Sequence, residues 1–341
     1  METSSESQTL ESTSDPALAP VSWKSRITLV LKFALVGAVF YYLYRKGLIT
    51  AESFQKMAAS PKTLFLCLAF MTLNTLSGAL RWQVLLRTHG ADLGFIQTLK
   101  LNLVGSFFNI ALPGAVSGDL VKGVHLMKRF PEKRAPIFGT IVLDRMLGVS
   151  AMVFIGAFSA VLSMVVPWGG SLPSILLWSI GGAGSAALAF FVYLFASGKK
   201  DPAGDLLRLL ASRFPKLGSV ERLYSSIMAY RAHPFRVLKA VGLSLAIHLL
   251  LILMSYFITE AISVNALPVF PVAVIVPIGM LATTIPVLPA GVGTGHAAFY
   301  ALFMMVGSPL GAEVFSMIVL YQVLVGIVGG VTYLKVLSER T

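Results

Sequence analysis

Cysteine is nearly absent: Cys67 stands alone among 341 residues. A single thiol excludes a disulfide framework and any cysteine-based metal cluster, and its apolar surroundings mark it as a packing residue. Charge is scarce too, at 12% of residues, about half the share found in soluble globular domains. Acidic residues are the scarcer sign, 15 against 27 Lys and Arg, leaving a net charge of +12. No hydrolase elbow, HExxH, Walker loop or paired-histidine metal spacing occurs. No positive case for an enzyme can be made from these residues, and the expectation is a protein that is not an enzyme and uses no cofactor or metal.

What it has instead is apolar length. Hydrophobic residues make up 56% of the chain, and six runs approach the ~20 residues that a bilayer core requires. They cover Ile27–Tyr44, Lys62–Leu80, Arg145–Val166, Ser174–Ala196, Val241–Ala261 and Ala312–Leu334. Two further apolar regions, Phe95–Leu120 and Pro268–Val306, are interrupted. The expected fold is an all-α polytopic membrane protein with about six full spans and two broken re-entrant hairpins in two inverted halves. If the broken regions cross instead, there are eight membrane segments. Residues 1–22 are Ser/Thr-rich, lack the basic and apolar regions of a signal peptide, and read as a disordered tail; residues 23–341 form the membrane domain.

The basic residues lie mostly between apolar runs, which suits topology signals and anionic headgroups better than nucleic acid. The connection 197–238 carries Lys199, Lys200, Arg208, Arg213, Lys216, Arg222, Arg231 and Arg236 against three acids and is expected to be cytoplasmic. The stretch after the first interruption, with Lys122, Lys128, Arg129, Lys133 and Arg134, is expected there as well. Both termini then fall in the cytoplasm of a cell with a bacterial-type cytoplasmic membrane. Arg45–Lys62, with four basic residues, runs against this arrangement. Within 197–238, apolar residues recur at a helical period from Leu206 to Ile227 with basic residues between them. This predicts an amphipathic helix, interrupted at Pro215, that either lies on the inner leaflet or packs on the ends of the spans.

The two interruptions are related. NIALPGAVSGDLVK runs from Asn109 to Lys122, and IPVLPAGVGTGH from Ile285 to His296. Each sets Leu-Pro before a glycine-rich run. Broken backbone at membrane depth survives only where protein or a water-filled cavity satisfies its polar groups. Paired breaks in two halves of a chain point to a transporter's binding site. Half-helix amino termini bring N–H donors and partial positive charge to such a site, which suits an anion. Packing notches are the plainer alternative for Gly114, Gly118, Gly291, Gly293 and Gly295.

Charged residues gather near the first break. Asp119 and Lys122 stand one helical turn apart and can pair. Asp144 and Arg145 are neighbours inside GTIVLDRMLGV, so on a helix they point about 100° apart and need different partners. Asp144 is expected to pair with Lys122 or Arg81, and Arg145 with Asp119. Ionisable groups at this depth mark a functional site by default, or else an ion network that fastens the hairpin to the next span. His296, which follows GVGTG, is the one histidine assigned to the site.

RWQVLLRTHG, SFFNIALPGAVSGDLVK, VLDRMLG and IPVLPAGVGTGHAAFYALF form an ordered series that resembles the integral-membrane flippase domain of the lysylphosphatidylglycerol synthase family, from about Ile27 to Leu337. The resemblance implies transbilayer movement of a phospholipid, here without an attached synthase. It carries over Arg81, Asn109, Pro113, Gly114, Gly118, Asp119, Lys122, Asp144, Arg145, Pro289, Gly291 and Gly293 as residues of interest. This chain departs from many members at Ser117, where they have Gly, and at His296, where they have Glu. The implied partners are membrane lipids with a phosphate headgroup and a separately encoded lipid-modifying enzyme. The competing expectations are an ion-coupled carrier of a small solute and a non-transporting scaffold for such an enzyme.

Overall fold

The computed structural model describes residues 41–42, 44–45, 50–111, 117–167, 171–196, 201–263, 267–284 and 291–338. The expected tail, most of the first expected span, and Pro113, Gly114 and Pro289 lie outside the described residues. Among the described residues the elements are helical and no strand occurs. In chain order they are α1 (Ala51–Ala58), α2 (Pro61–Thr88), α3 (Phe95–Ala111), α4 (Ser117–Arg129), α5 (Arg134–Leu162), α6 (Ser174–Ala196), α7 (Pro202–Arg213), α8 (Gly218–Met228), α9 (Pro234–Ile262), α10 (Val269–Ala282), α11 (Thr294–Met304) and α12 (Gly311–Ser338).

Five of these, α2, α5, α6, α9 and α12, are long and apolar enough to cross a membrane. The protein is a multi-pass membrane protein. Several spans outrun the apolar runs that announce them. The one expected to start at Arg145 begins at Arg134, because Asp144 and Arg145 pair with groups on neighbouring helices and do not end a helix. Proline occupies the opening turn of α2, α7 and α9, where its missing N–H costs nothing.

The two interrupted regions are hairpins. Their helices have 17, 13, 14 and 11 residues. At ~1.5 Å per residue the longest reaches about 25 Å, short of a ~30 Å core. The paired helices α3 and α4 run antiparallel: Ser117 Oγ donates to the Phe108 carbonyl at 3.0 Å, and Gly118 lies against Gly105. In the second hairpin Gly279 meets Phe299, and Gly291 meets Thr283.

The hairpins enter from opposite ends. Tyr230, just before α9, donates to the Leu85 carbonyl near the end of α2 at 2.9 Å, and Arg231 donates to Leu194 near the end of α6 at 3.1 Å. The ends of α2 and α6 and the start of α9 therefore share one side, the basic end of the bundle, and α3–α4 enters there. Helix α9 carries the chain away from it, so α10–α11 enters from the far side. Helix α12 holds both hairpins. Gly326, Gly329 and Gly330 let α3 approach closely, while Gly311 and Gly295 do the same between α12 and α11.

The main core joins α9, α10, α11 and α12, with Phe299, Phe303 and Phe315 wholly enclosed. Cys67 is buried in that cluster, as its surroundings imply. Thr50 and Ser53, at the start of α1, donate to the Glu313 carboxylate at 2.9 and 2.7 Å and so tie α1 to the first turn of α12.

Candidate functional site

The first hairpin closes on a side chain. Asn109, near the end of α3, accepts the Gly118 N–H at 2.8 Å through Oδ1, satisfying one of the unpaired donors of the α4 amino terminus. A Cβ on Gly118 would collide with the Gly105 carbonyl oxygen, so the close approach needs glycine. That approach sets Asp119, in the first turn of α4, inside the bundle.

Asp119 and Lys122 are both buried, at 6% and 5% side-chain exposure, and their Oδ1 and Nζ lie 2.7 Å apart. The Lys122 ammonium also sits 4.5 Å above the Trp82 ring. Trp82 in turn donates from its indole to Thr140 Oγ1 at 3.2 Å, which fixes the ring between α2 and α5. The second Asp119 oxygen accepts from Arg145 Nε on α5.

One residue earlier on α5, the Asp144 carboxylate faces α2. Arg81 clamps it through Nε at 2.8 Å and Nη2 at 2.9 Å. The third nitrogen, Nη1, donates to Ser244 Oγ on α9 at 2.9 Å. Arg81 thus joins three spans in the planar geometry that a guanidinium imposes. Of the pairings open in the sequence, Asp144 takes Arg81 and not Lys122, and Arg145 takes Asp119.

The five charges do not balance. Arg81, Lys122 and Arg145 face Asp119 and Asp144, a surplus of one positive charge. Lys122 is buried with Asp119, and the Arg81 side chain is only 12% exposed against a buried Asp144, whereas the Arg145 side chain is 43% exposed. A surplus cation at the open edge of a buried ion cluster has donors with which it could take an anion through charge-assisted hydrogen bonds. Among the described residues no group of three His, Cys, Asp or Glu is arranged to hold a metal.

The second hairpin is built differently. Gly291 and Gly293 have φ of +70° and +88°, which favour glycine, and a Cβ on Gly291 would lie 2.8 Å from the Thr283 Cβ. His296 is 1% exposed. Its Nδ1 accepts the Gly293 N–H at 3.3 Å, closing the start of α11, and its Nε2 meets Ser316 Oγ at 3.0 Å. Ser316 gives its own hydrogen to the Ala312 carbonyl, so an imidazole protonated at Nε2 satisfies both contacts. The ring stands edge-on to Phe315 at 4.8 Å. The structure therefore brings Arg81, Asn109, Gly118, Asp119, Lys122, Asp144 and Arg145 together, and places Gly291, Gly293 and His296 within the packing of α10, α11 and α12.

Reading the sequence missed three members of the first group. Trp82 was inside a quoted motif but gave no sign of facing Lys122. Gly105 and Ser244 carry no local signal, since each matters only through a helix distant in sequence.

A broken hairpin from each side of a helical bundle, with an ion cluster on one of them, defines an all-α polytopic membrane protein. Residues 29–331 match the family described as Lysylphosphatidylglycerol synthase TM region, and the chain belongs to that family. It is thereby a multi-pass membrane protein of a lipid-handling family. Comparison with curated proteins and with solved structures returns no match.

Proposed function

We propose that this protein moves a phosphate-bearing membrane lipid from one leaflet to the other and performs no covalent chemistry. The surplus cation, Arg145, carries this reading. Lys122 is closed off by Asp119 and Trp82, so the headgroup falls to Arg145. In this account the headgroup phosphate binds the Arg145 fork while the acyl chains stay in the bilayer. Asp119 orients the guanidinium, and the Arg81–Asp144 clamp holds α2, α5 and α9 in register around it. The basic end faces the cytoplasm of a cytoplasmic membrane, following the charge of the 197–238 connection.

The test is headgroup translocation in proteoliposomes, with fluorescent lipids of anionic, zwitterionic and cationic headgroup. Arg145→Gln balances the cluster at two cations and two carboxylates, so it should fold as well as the wild type and lose transport. Arg145→Lys should retain part of it, since a point charge replaces a fork. Folded wild-type protein that moves no lipid defeats the proposal. Solute uptake that collapses with the proton gradient would replace it with an ion-coupled carrier. Stoichiometric association with a lipid-modifying enzyme, with no activity alone, would replace it with a scaffold.

A further inference from the structure

The two helices of the basic connection are treated differently by the fold. Helix α8 is packed: Ser226, Ile227 and Met228 are buried, and Ser226 lies against Gly139 of α5. Helix α7 is not, since only Gly204 is buried along it. Leu206 and Leu209 are 56% and 62% exposed, and Phe214 beyond the helix end is exposed as well. At 100° per residue Leu206, Leu209, Leu210 and Arg213 share one face, while Asp205, Arg208 and Ser212 lie to one side of it.

The depth of α7 is fixed by its cap. Asp201 accepts the Gly204 N–H at 3.0 Å, so it caps the helix. The same oxygen accepts the Tyr193 hydroxyl at 2.7 Å, and Tyr193 is in the last turn of span α6. Tyr224 of α8 donates to it too, and Arg231 lies 3.7 Å from the other oxygen. The start of α7 is thus pinned level with the end of a membrane span, where headgroups lie. Exposed apolar residues on that span and the next, Phe195, Phe235 and Leu238, continue the surface toward the hydrocarbon.

We infer that α7 lies in the headgroup layer at the basic end, Leu206 and Leu209 inserted, and gathers anionic lipids through Arg213 and Lys216. The charge is complementary: residues 201–238 hold Arg208, Arg213, Lys216, Arg222, Arg231 and Arg236 against Asp201, Asp205 and Glu221. Helix α8, which follows α7, packs on α5 at Gly139, so α7 lies at the basic end of the same bundle that holds the ion cluster. The inference does not depend on lipid transport.

The test uses the full chain in phosphatidylcholine vesicles with and without phosphatidylglycerol. Nitroxides are placed through Leu206→Cys, Leu209→Cys and Ser212→Cys, with Cys67 left in place because it is wholly buried. Labels at 206 and 209 should be open to oxygen and shielded from a nickel chelate, and the label at 212 should show the reverse. Equal nickel access at all three positions overturns the insertion. Shielding from both reagents, or spin–spin broadening at 206, means that protein or a second copy covers the face and overturns it too. In the second measurement, spin-labelled phosphatidylglycerol should be retained at the protein surface over phosphatidylcholine. Arg213→Gln and Lys216→Gln should each reduce that preference about fivefold. An unchanged preference overturns the headgroup selectivity.

Discussion

Replacing Arg81 by Met should be among the most damaging single changes in the protein. Arg81 makes three hydrogen bonds, two to Asp144 and one to Ser244. Ser244 survives the loss, because its hydroxyl still donates to the Ala240 carbonyl at 2.9 Å. Asp144 does not. It is buried, and the contacts that hold its two oxygens are those to Arg81. Removing one partner of a buried pair strands a charge and costs about 3–5 kcal/mol. Removing both partners in favour of apolar side chains costs far less, and such replacements are often neutral or stabilising.

The appropriate assay is therefore a double-mutant cycle on thermal or denaturant unfolding in detergent, using Arg81→Met, Asp144→Leu and the pair. Each single variant should lose several kcal/mol. The double variant should recover most of that loss, giving a coupling well above the ~0.5 kcal/mol expected for independent sites. Arg81→Met costing less than about 1 kcal/mol, or singles that simply add, would refute the clamp as a buried, mutually dependent pair.

Gly118→Ala should destabilise the first hairpin by at least the ~1–3 kcal/mol of an overpacked core, while Gly94→Ala, in open space at the start of α3, should cost less than about 1 kcal/mol; thermal unfolding of the two separates them. Gly291→Ala combines a left-handed backbone with the Thr283 contact and should cost about 1–2 kcal/mol or more, read from the same unfolding scan. Asp201→Asn should flatten the acid limb of stability. Burial raises the Asp201 carboxyl, but the hydrogen bonds from Tyr224 and Tyr193, the Gly204 amide and Arg231 outweigh it and hold it below the usual carboxylate range. A carboxyl lowered in the folded state stabilises at neutral pH and loses that contribution as pH falls through its folded-state value. Wild type and variant should therefore converge in strong acid, and parallel pH profiles would contradict this.

Much of the fold was legible because lipid imposes a simple rule on length. Ser174–Ala196 was read to the residue, since an uncharged apolar run ends where polar residues begin. The ends of α2, α5 and α9 were not, since their outer turns hold Arg87, Arg134 and Arg236, which a hydropathy pattern discards and a helix tolerates. The choice between hairpins and kinked crossings could not be made from proline and glycine alone. It depends on side-chain contacts such as Ser117 with Phe108 and on glycine faces such as Gly326–Gly330, which join segments far apart in sequence.

The charge surplus was countable from the start, but its position was not. Asp144 and Arg145 must diverge on a helix, so they demand two partners: Asp119 was legible for Arg145, while Asp144 stood between Lys122 and Arg81. The choice follows from competition. Lys122 is one turn from Asp119 on the same helix and reaches it first, and Trp82 then closes over the ammonium. Asp144 is left to Arg81, the residue before that tryptophan, whose guanidinium leaves α2 on another bearing. Arg145 must share an aspartate already neutralised by Lys122, and it does so from the half-exposed edge of α5. The surplus therefore settles on the one cation of the five charges that an incoming anion can reach.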